Sequence, residues 1–594
     1  MKRLLLVLIF AALASPAFAK PNLLLITVDD MSCDSIGAFG CALEGTTPNI
    51  DAFAAQSRKF LRAHVQVGNC YPSRNVMWSG RYPHNSGVEG FYQVKPIDYP
   101  VMSDLMKAAG YYTAIRGKVS HSTPYQPYPA WDADTTILPD GSQAHIKDVE
   151  SYYTSTKAAI DGAKEAGKPF CFNINISDPH KPFWHPDDPH PTSRIFTADE
   201  VPVPGFLPDD PAIREELGLY YSSVRRADDC FGQVMRALNE SGLAEDTFIL
   251  FLSDHGMPLP FAKTQLYHHS THTPLMVKWP GVTEAGSVDE THLVSAVDFL
   301  PTLLDVIGAE HPDGLDGRSF LPLIKGEVQD DREVVFKEYN ENAGGFRNPM
   351  RGVQTAKFLY LFNPWSNGER VMATATNGTA TWKTMKKLAN EDSAIAERVD
   401  LMEHRVVEEF YDVENDPDCR RNLIDEPAYA EELAKHRKLL KEWMVKTGDH
   451  MLSAFEGRQD PAALAAYMEK VEAEAQARKS AKRGGGKKDG KKQANLIRIR
   501  LPETIEAGKT VTLKVPHQFP EELGEQVVQV TLKAGPDQKR VAREILKASG
   551  KGVLEVNFDV PAEVPGNVIS FAAFVGKDYD ENLQHLQTKS VPVK

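Results

Sequence analysis

The apolar run Asn22-Leu23-Leu24-Leu25-Ile26-Thr27-Val28 leads directly into two carboxylates, Asp29 and Asp30. Such a run is typical of a β-strand that is buried on both faces, as in a parallel sheet covered by helices. Three further runs have the same character: Tyr112 to Ile115, Phe170 to Ile176 and Thr247 to Leu252. Because amphipathic stretches separate these runs, we predict an α/β fold with a mainly parallel sheet from Pro21 to about Ile324.

Two helices are predicted from their first residues. Asp210-Pro211 and Asp460-Pro461 each place a capping carboxylate before a proline at the first helical position. Leu217, Tyr221 and Val224 fall on one face of the first of these helices, which is therefore expected to pack against the rest of the domain.

Ligand-binding or reactive side chains come after every one of the four predicted strands. The segments are Asp29-Asp30, Gly117-Lys118-Val119-Ser120-His121, Ser177-Asp178-Pro179-His180-Lys181 and Ser253-Asp254-His255-Gly256. In open α/β sheets, ligands bind beyond the carboxyl ends of the strands. We therefore predict one shared site: an acidic metal cage of Asp29, Asp30 and Asp254, surrounded by Lys118, Lys263, His121 and His180.

The three carboxylates favour one hard divalent cation over zinc, because Ca²⁺ and Mg²⁺ prefer oxygen ligands. Ca²⁺ tolerates irregular geometry better and is the preferred prediction, with Mg²⁺ as the alternative. His255 is assigned to the same metal site, although an imidazole is a poor ligand for Ca²⁺.

The segment Cys70-Tyr71-Pro72-Ser73-Arg74, followed by Ser79-Gly80-Arg81, identifies the nucleophile. It resembles the signature of the type I sulfatase family, Cys-x-Pro-Ser-Arg with Ser/Thr-Gly further along. Tyr71 stands at the variable position, where smaller residues are more usual. In that family a formylglycine-generating enzyme oxidises the cysteine during maturation. The resemblance therefore implies that Cys70 becomes formylglycine (3-oxoalanine) and joins the metal site.

The resemblance also implies a mechanism. Hydrated formylglycine at position 70 offers two hydroxyls, and one attacks sulfur while the metal and Arg74 stabilise its charge. Lys118 and Lys263 hold the sulfate oxygens together with the cation. His180 or Lys263 protonates the leaving group. The second hydroxyl, deprotonated with help from His121, then expels sulfate and regenerates the aldehyde.

The resemblance covers nearly all of Pro21 to about Asp449 and implies an alkaline-phosphatase-like sulfatase fold with a large mixed, mainly parallel sheet between helices. The remaining landmarks are Gly110-Tyr111-Tyr112-Thr113, Ala296-Val297-Asp298-Phe299-Leu300-Pro301-Thr302, Gly317-Arg318-Ser319-Phe320-Leu321-Pro322, and Phe410-Tyr411-Asp412 with Asp416-Pro417 and Asn422-Leu423.

Within the family, the segment Asp254 to Tyr267 resembles the heparan N-sulfatase (N-sulfoglucosamine sulfohydrolase, sulfamidase) group, and so does Asn348-Pro349-Met350-Arg351-Gly352-Val353-Gln354. The expected substrate is therefore a sulfated oligosaccharide or polysaccharide of the heparan or heparin type. Two departures are His255, where the group has Asn, and Lys263, where it has Arg. The spacing of Lys118 and His121 is instead similar to that of iduronate-2-sulfatases, which keeps an O-sulfatase open as the alternative.

The N-terminus predicts export. Met1-Lys2-Arg3, the apolar run Leu4 to Ala14 and the closing Ala17-Phe18-Ala19 have the pattern of a signal peptide over residues 1–19. The mature protein is then periplasmic or secreted, without stable membrane insertion. A formal net charge of −14 gives no indication of nucleic-acid binding, and an anionic substrate would need a local basic pocket. Six cysteines in 594 residues do not form a disulfide framework, and a Cys33–Cys41 pair is left open.

Four regions follow from these patterns: a catalytic domain over 20–329, a smaller α+β C-terminal subdomain over 330–455, a helix with a basic Lys/Gly-rich linker over 456–494, and a β-sandwich-like module over 495–594. Strand-like pieces are Lys357 to Phe362, Glu408 to Val413, Leu496 to Arg500, Val511 to Val515, Val527 to Leu532, Val553 to Phe558 and Val568 to Val575. The sequence carries no signal for the oligomeric state.

Two other functions are compatible with parts of this sequence. A phosphatase or phosphonate hydrolase could share the metal cage, but such enzymes usually use Ser or Thr with two metals, and Cys70 in its motif argues against them. A non-catalytic glycan-binding protein is favoured only by the C-terminal module and the basic linker. That hypothesis gives no reason for a complete set of catalytic side chains.

Overall fold

The computed structural model describes residues 20–91, 93–95, 97–122, 131–139, 141–342, 346–485, 496–501, 505–520, 523–535, 539–576, 584–588 and 591–594. The predicted signal peptide and residues 486–494 of the predicted linker lie outside the described residues. The chain divides into two compact units, Met1–Arg478 and Lys479–Lys594, which are described separately. None of the helices described is both long enough and apolar enough to cross a membrane.

A mixed sheet organises the first unit. The strands up to Ser295 are β1 (Asn22–Asp29), β2 (Arg58–Phe60), β3 (Ala63–His64), β4 (Tyr112–Arg116), β5 (Ala133–Asp134), β6 (Phe170–Pro179), β7 (Thr247–Ser253), β8 (Leu275–Lys278), β9 (Val288–Asp289) and β10 (Val294–Ser295). Eight of them form the sheet β5-β4-β6-β1-β7-β8-β2-β9, and β3 pairs with β10. The first five strands in this order are parallel, whereas β8 runs antiparallel to both neighbours. The predicted mixed, mainly parallel sheet is confirmed.

Helices cover both faces of this sheet. They are α1 (Pro48–Ala54), α2 (Cys70–Ser79), α3 (Pro83–Ser86), α4 (Met102–Ala108), α5 (Val149–Ala166), α6 (Pro211–Glu240), α7 (His268–Thr271), α8 (Phe299–Ile307) and α9 (Leu321–Ile324). Side chains alternate along β1: Leu24 and Ile26 join a core with α5 and α6, while Leu23 and Leu25 join a core with α4 and α8. This two-sided burial is the reason that β1 is apolar at nearly every position.

Helix α6 begins as predicted from its first residues. The Asp210 carboxylate accepts the Ala212 amide at 2.8 Å, and Pro211 occupies the first turn. Leu217, Tyr221 and Val224 are buried in the core that the helix shares with β1.

A four-stranded antiparallel sheet completes the first unit, as expected for the C-terminal subdomain. Its strands, in sheet order, are β11 (Val335–Asn342), β12 (Phe346–Gln354), β13 (Phe358–Phe362) and β14 (Glu408–Asp412). The accompanying helices are α10 (Ala380–Leu388), α11 (Ser393–His404), α12 (Ala430–Thr447), α13 (Leu452–Glu456) and α14 (Pro461–Gly485). Leu359 and Leu361 belong to the same core as Leu24 of β1, so the two sheets of this unit share one continuous interior.

The second unit consists of two antiparallel sheets around their own core. Its strands are β15 (Thr510–Gln518), β16 (Gln526–Ala534), β17 (Lys539–Ala548), β18 (Lys551–Asp559), β19 (Val568–Val575), β20 (Gln584–Gln587) and β21 (Val591–Pro592). One sheet pairs β15 with β18, and the other contains β17, β16, β19, β20 and β21. The predicted strand at Leu496 to Arg500 is wrong, because this segment forms only isolated bridges to β15. Strand β17 was not predicted.

Candidate active site

Three carboxylates meet where β1 and β7 end. The two strands are parallel neighbours with Val28 opposite Ser253, so Asp29 and Asp254 come next to each other at the carboxyl edge. Asp30 adopts a left-handed backbone conformation (φ 69°), which Asp tolerates better than most residues, and its amide donates to Asp254 Oδ1 at 3.0 Å. All three carboxylates are 0% exposed. Buried carboxylates this close together require a compensating positive charge.

A group of potential metal ligands surrounds this edge. Ligand atoms of Asp29, Asp30, Cys70 and His255 all lie within 4.8 Å of one another. His255 Nε2 is 3.0 Å from Asp30 Oδ1 and 3.5 Å from Cys70 Sγ, while Asp254 Oδ1 is 3.8 Å from the same nitrogen. A carboxylate-rich donor set of this kind fits a hard divalent cation.

Burial and neighbouring charges shift the pKa values of the two residues that follow β7. Burial raises the pKa of Asp254 to about 7, against the opposing charges of His255 and Arg74. For His255, burial opposes the charged form, but Asp254 and Asp30 outweigh it and raise the pKa to about 9. Both shifts follow from carboxylates packed into one low-dielectric cluster.

Cys70 is the first residue of α2, so its sulfur lies at the positive end of the helix dipole. Burial raises the pKa of this thiol, but the ammonium groups of Lys263 and Lys118 and a hydrogen bond with His180 hold it well below its ordinary value. The environment of position 70 therefore favours a negative charge.

Arg74 lies one turn further along α2 and joins the helix to the carboxylates. Its Nη2 is 2.9 Å from Asp254 Oδ2 and 3.3 Å from Asp29 Oδ1, and its guanidinium also donates to Asn175. Ser73 donates to the Asp254 carbonyl at 2.7 Å. The spacing in the Cys-x-Pro-Ser-Arg segment thus places Ser73 and Arg74 on the side of α2 that faces β1 and β7.

Two lysines lie against the acidic group. Lys118 Nζ is 2.6 Å from Asp29 Oδ2, and Lys263 Nζ donates to both oxygens of Asp30 at 2.8 and 2.6 Å. Lys118, which follows β4 after Gly117, reaches this position from a left-handed backbone conformation (φ 50°). The two ammonium groups compensate part of the negative charge of the carboxylates.

The two predicted histidines also reach the site, in different environments. His180 follows β6, donates from Nδ1 to the Lys181 carbonyl at 2.6 Å and is hydrogen-bonded to Cys70. Burial opposes its charged form, but Asp30 and Asp29 raise its pKa above the ordinary value. His121 packs against Tyr71 with ring centroids 5.3 Å apart, and burial together with Lys118 lowers its pKa to about 3.

Sequence reasoning missed the residues that hold these side chains in place. Lys147 Nζ donates to Asp178 Oδ1 at 2.7 Å and to the carbonyls of His180 and Pro182 at 2.6 and 2.8 Å. Arg226 of α6 donates from Nε to Asp178 Oδ2 at 2.6 Å. Only Asp178 had a signal, because it follows the predicted strand Phe170 to Ile176; Lys147 lies in a loop without a motif.

The sequence matches two family models. The model named Sulfatase covers residues 21–309, and the model for the C-terminal region of N-sulphoglucosamine sulphohydrolase covers residues 254–369. Human N-sulphoglucosamine sulphohydrolase is 29% identical over 483 residues, which is 74% of this chain and 93% of the relative. An ulvan-active sulfatase of Formosa agariphila is 26% identical over 433 residues, 72% of this chain and 81% of the relative.

A solved enzyme in complex with its substrate D-glucosamine-2-N,6-O-disulfate has the same fold. Its TM-score is 0.54 at 19% identity, with 73% of this chain and 99% of that chain covered. The predicted sulfatase architecture is confirmed by this likeness and by the mixed sheet with its antiparallel companion.

Proposed function

Since the chain belongs to the type I sulfatase family, we propose that it releases sulfate from N-sulfoglucosamine residues of heparan- or heparin-type saccharides. The observation that carries the proposal is the position of Cys70, at the N-terminus of α2, beside three buried carboxylates and two lysines. The choice of an N-sulfated sugar is supported by the family match over residues 254–369 and by the human relative.

Conversion of Cys70 to formylglycine by a formylglycine-generating enzyme is part of the proposal. One divalent cation would be held by Asp29, Asp30, Asp254, His255 and the converted side chain. We expect Ca²⁺ rather than Mg²⁺, because the donor atoms differ in chemical type and in their distances from one another. When bound, the cation supplies positive charge that polarises the sulfate group and favours an ionised nucleophile.

The first half of the reaction uses one hydroxyl of the hydrated side chain at position 70. Its oxygen forms a bond to sulfur as the bond between sulfur and the sugar nitrogen breaks. Arg74 is placed to stabilise negative charge on the nucleophile, and Lys118 and Lys263 are placed to bind the sulfate oxygens. This half-reaction leaves the sulfate attached to residue 70.

His180 is the better placed of the two predicted proton donors. Its Nδ1 is fixed by the Lys181 carbonyl, so its Nε2 is the nitrogen available at Cys70. Lys263, in contrast, is held by both oxygens of Asp30. We therefore assign His180 as the acid that protonates the departing amine.

His121 is assigned to the second half of the reaction. Its Nδ1 is buried and makes no hydrogen bond within the described part of the chain, which leaves this ring without a partner that would fix its proton. It takes the proton from the second hydroxyl, the carbon–oxygen bond to sulfate breaks, and the aldehyde forms again. Water then restores the two hydroxyls.

An O-sulfatase is the second candidate. The spacing between Lys118 and His121 favours it, and the ulvan-active relative shows that proteins of similar sequence are named for other sulfated glycans. We further propose that the protein is exported through residues 1–19 and acts in the periplasm or outside the cell.

The test combines peptide mass with sulfate release. The protein is produced together with a formylglycine-generating enzyme, and the mass of the peptide containing Cys70 is measured. Sulfate release is then followed from N-sulfoglucosamine and from O-sulfated hexosamine and uronate saccharides, with Cys70→Ala as the control. Release from the N-sulfated sugar alone supports the proposal. Release only from an O-sulfated sugar replaces the substrate, and an aldehyde-bearing protein without any release contradicts the proposed activity.

A further inference from the structure

The loop after β6 presents one more cation beside the site, Lys181. The carbonyls on either side of this residue, those of His180 and Pro182, both accept hydrogen bonds from Lys147 Nζ, and the carbonyl of Lys181 accepts one from the His180 ring. Three successive carbonyls are therefore fixed. The backbone that carries Lys181 is held as firmly as that of His180.

The Lys181 side chain extends to the neighbourhood of Lys263. Its Nζ lies 3.4 Å from the carbonyl of Ala375, and the amide of the same Ala375 donates to Thr264 Oγ1 at 3.1 Å. The backbone of one residue, Ala375, thus contacts both Lys181 and Thr264, the residue after Lys263. Lys181 is also close enough to Asp30 to feel its charge.

The charge on Lys181 has no carboxylate partner among the residues that the structure describes. Lys118 and Lys263 form ion pairs with Asp29 and Asp30, whereas Lys181 contacts the neutral carbonyl of Ala375. The neighbouring carboxylate of Glu216 is occupied by the amides at the start of α10. A half-buried ammonium in this position is available to an anion from solution.

We infer that Lys181 binds a second anionic group of the substrate, next to the sulfate that is removed, and so selects sugars with at least two negative groups. This inference rests on the proposed function and adds a specificity-determining residue to it. The second group is either a sulfate on the same sugar or the carboxylate of an adjoining uronate, since both offer the oxygen acceptors that an ammonium binds.

The experiment compares three substrates in the aldehyde-bearing protein: N-sulfoglucosamine, the same sugar with a 6-O-sulfate, and an N-sulfated disaccharide with a uronate. The variants are Lys181→Met, which keeps the aliphatic stem, and Lys181→Arg, which keeps the charge. Lys59→Met is the matched control, because Lys59 Nζ also donates to a backbone carbonyl, that of Ala38 at 2.8 Å, but does so from β2. KM and kcat are measured for each variant with each substrate.

Lys181→Met is expected to raise KM about tenfold for one of the two-anion substrates, the loss of one charged hydrogen bond. The kcat of this variant, and its KM for N-sulfoglucosamine, are expected to stay at the wild-type values. In Lys181→Arg, which keeps the charge, KM for the affected two-anion substrate is expected to stay near the wild-type value as well. The substrate affected identifies the second group as sulfate or carboxylate. Equal effects on all three substrates, or no effect on any, would overturn the inference.

Inhibition separates this inference from the proposed function. Hydrolysis of a nitrophenyl sulfate is measured in the same preparations, with the three sugars as competing ligands. If the sugars inhibit without losing sulfate, the proposed function fails, and the inference is decided by whether Lys181→Met weakens inhibition by the two-anion sugars alone. Weakened inhibition supports it, and unchanged inhibition overturns it.

Discussion

Replacement of Lys147 by Met should separate the positioning of His180 from the rest of the site. Lys147 is 4% exposed and donates to the carboxylate of Asp178, near the end of β6, and to two carbonyls of the loop that follows. Loss of these bonds removes the donor from the partly buried carbonyls of His180 and Pro182, while Asp178 keeps Arg226. Charged hydrogen bonds contribute about 1.5–3 kcal/mol each, and removal of a buried ammonium offsets part of the loss, so the expected destabilisation is about 3 kcal/mol.

The catalytic effect should depend on the leaving group. An amine needs a proton to depart, and a positioned general acid contributes about 10²–10⁴-fold, so Lys147→Met is expected to lower kcat for N-sulfoglucosamine about 100-fold. A nitrophenol leaves without protonation, and kcat for its sulfate ester should change less than about threefold. The unfolding entropy of the first unit is on the order of 1 kcal/mol/K, so its Tm should fall by about 3 °C.

Steady-state kinetics on both substrates and a thermal melt measure these quantities. Lys164→Met is the control, because Lys164 is exposed and donates to a backbone carbonyl, that of Ser241 at 3.1 Å. Equal losses of kcat on the two substrates would refute the assignment of His180 as the acid that Lys147 positions. An unchanged Tm would refute the energetic argument.

Three further predictions concern stability. Burial lowers the pKa of His272 to about 4, so its stabilisation is complete above the unfolded pKa of about 6.5 and is lost as the pH falls from about 6.5 to 4. His272→Gln should therefore reduce the acid-side fall in the free energy of unfolding by about 3 kcal/mol, and an unchanged profile in urea titrations between pH 7 and 4.5 would contradict this. Arg351→Met leaves the buried carboxylate of Asp449 unpaired and should lower the free energy of unfolding, measured by chemical denaturation, by about 3–5 kcal/mol. The control Arg421→Met, at an exposed ion pair, should lower it by less than about 1 kcal/mol. Ca²⁺ added to chelator-treated protein should raise Tm, because it binds the folded state, and Asp30→Asn should abolish the rise; a rise of equal size in the variant would place the ion elsewhere.

The parts of the fold that could be predicted are those with a local pattern. The run that ends at Asp29 is apolar at nearly every position because helices cover both faces of β1, and that burial is visible in the sequence. The carboxyl ends of parallel strands meet at one edge, so Asp254 and His180 could be placed near Asp29 without coordinates. Cys70 and Arg74 are separated by about one helical turn, so their relative positions on α2 could also be predicted.

The parts that could not be predicted depend on contacts between distant segments. Lys147 meets Asp178 only after the loop before α5 packs against β6. Strand β17 was missed because it carries apolar residues on its exposed side, such as Val541 and Ile545, together with several charges, so it shows no clean alternation.

The burial of α2 sets an order of events in the life of the protein. Cys70 is 3% exposed and Arg74 is fully buried, so the folded protein does not offer its Cys-x-Pro-Ser-Arg segment to another enzyme. If Cys70 is oxidised as proposed, the modifying enzyme has to read this segment while the chain is still extended, before β1 and β7 close over it. A host cell that lets the domain fold first would then produce a folded but inactive protein. Activity in a given host therefore reports the timing of folding as much as the presence of the maturation enzyme.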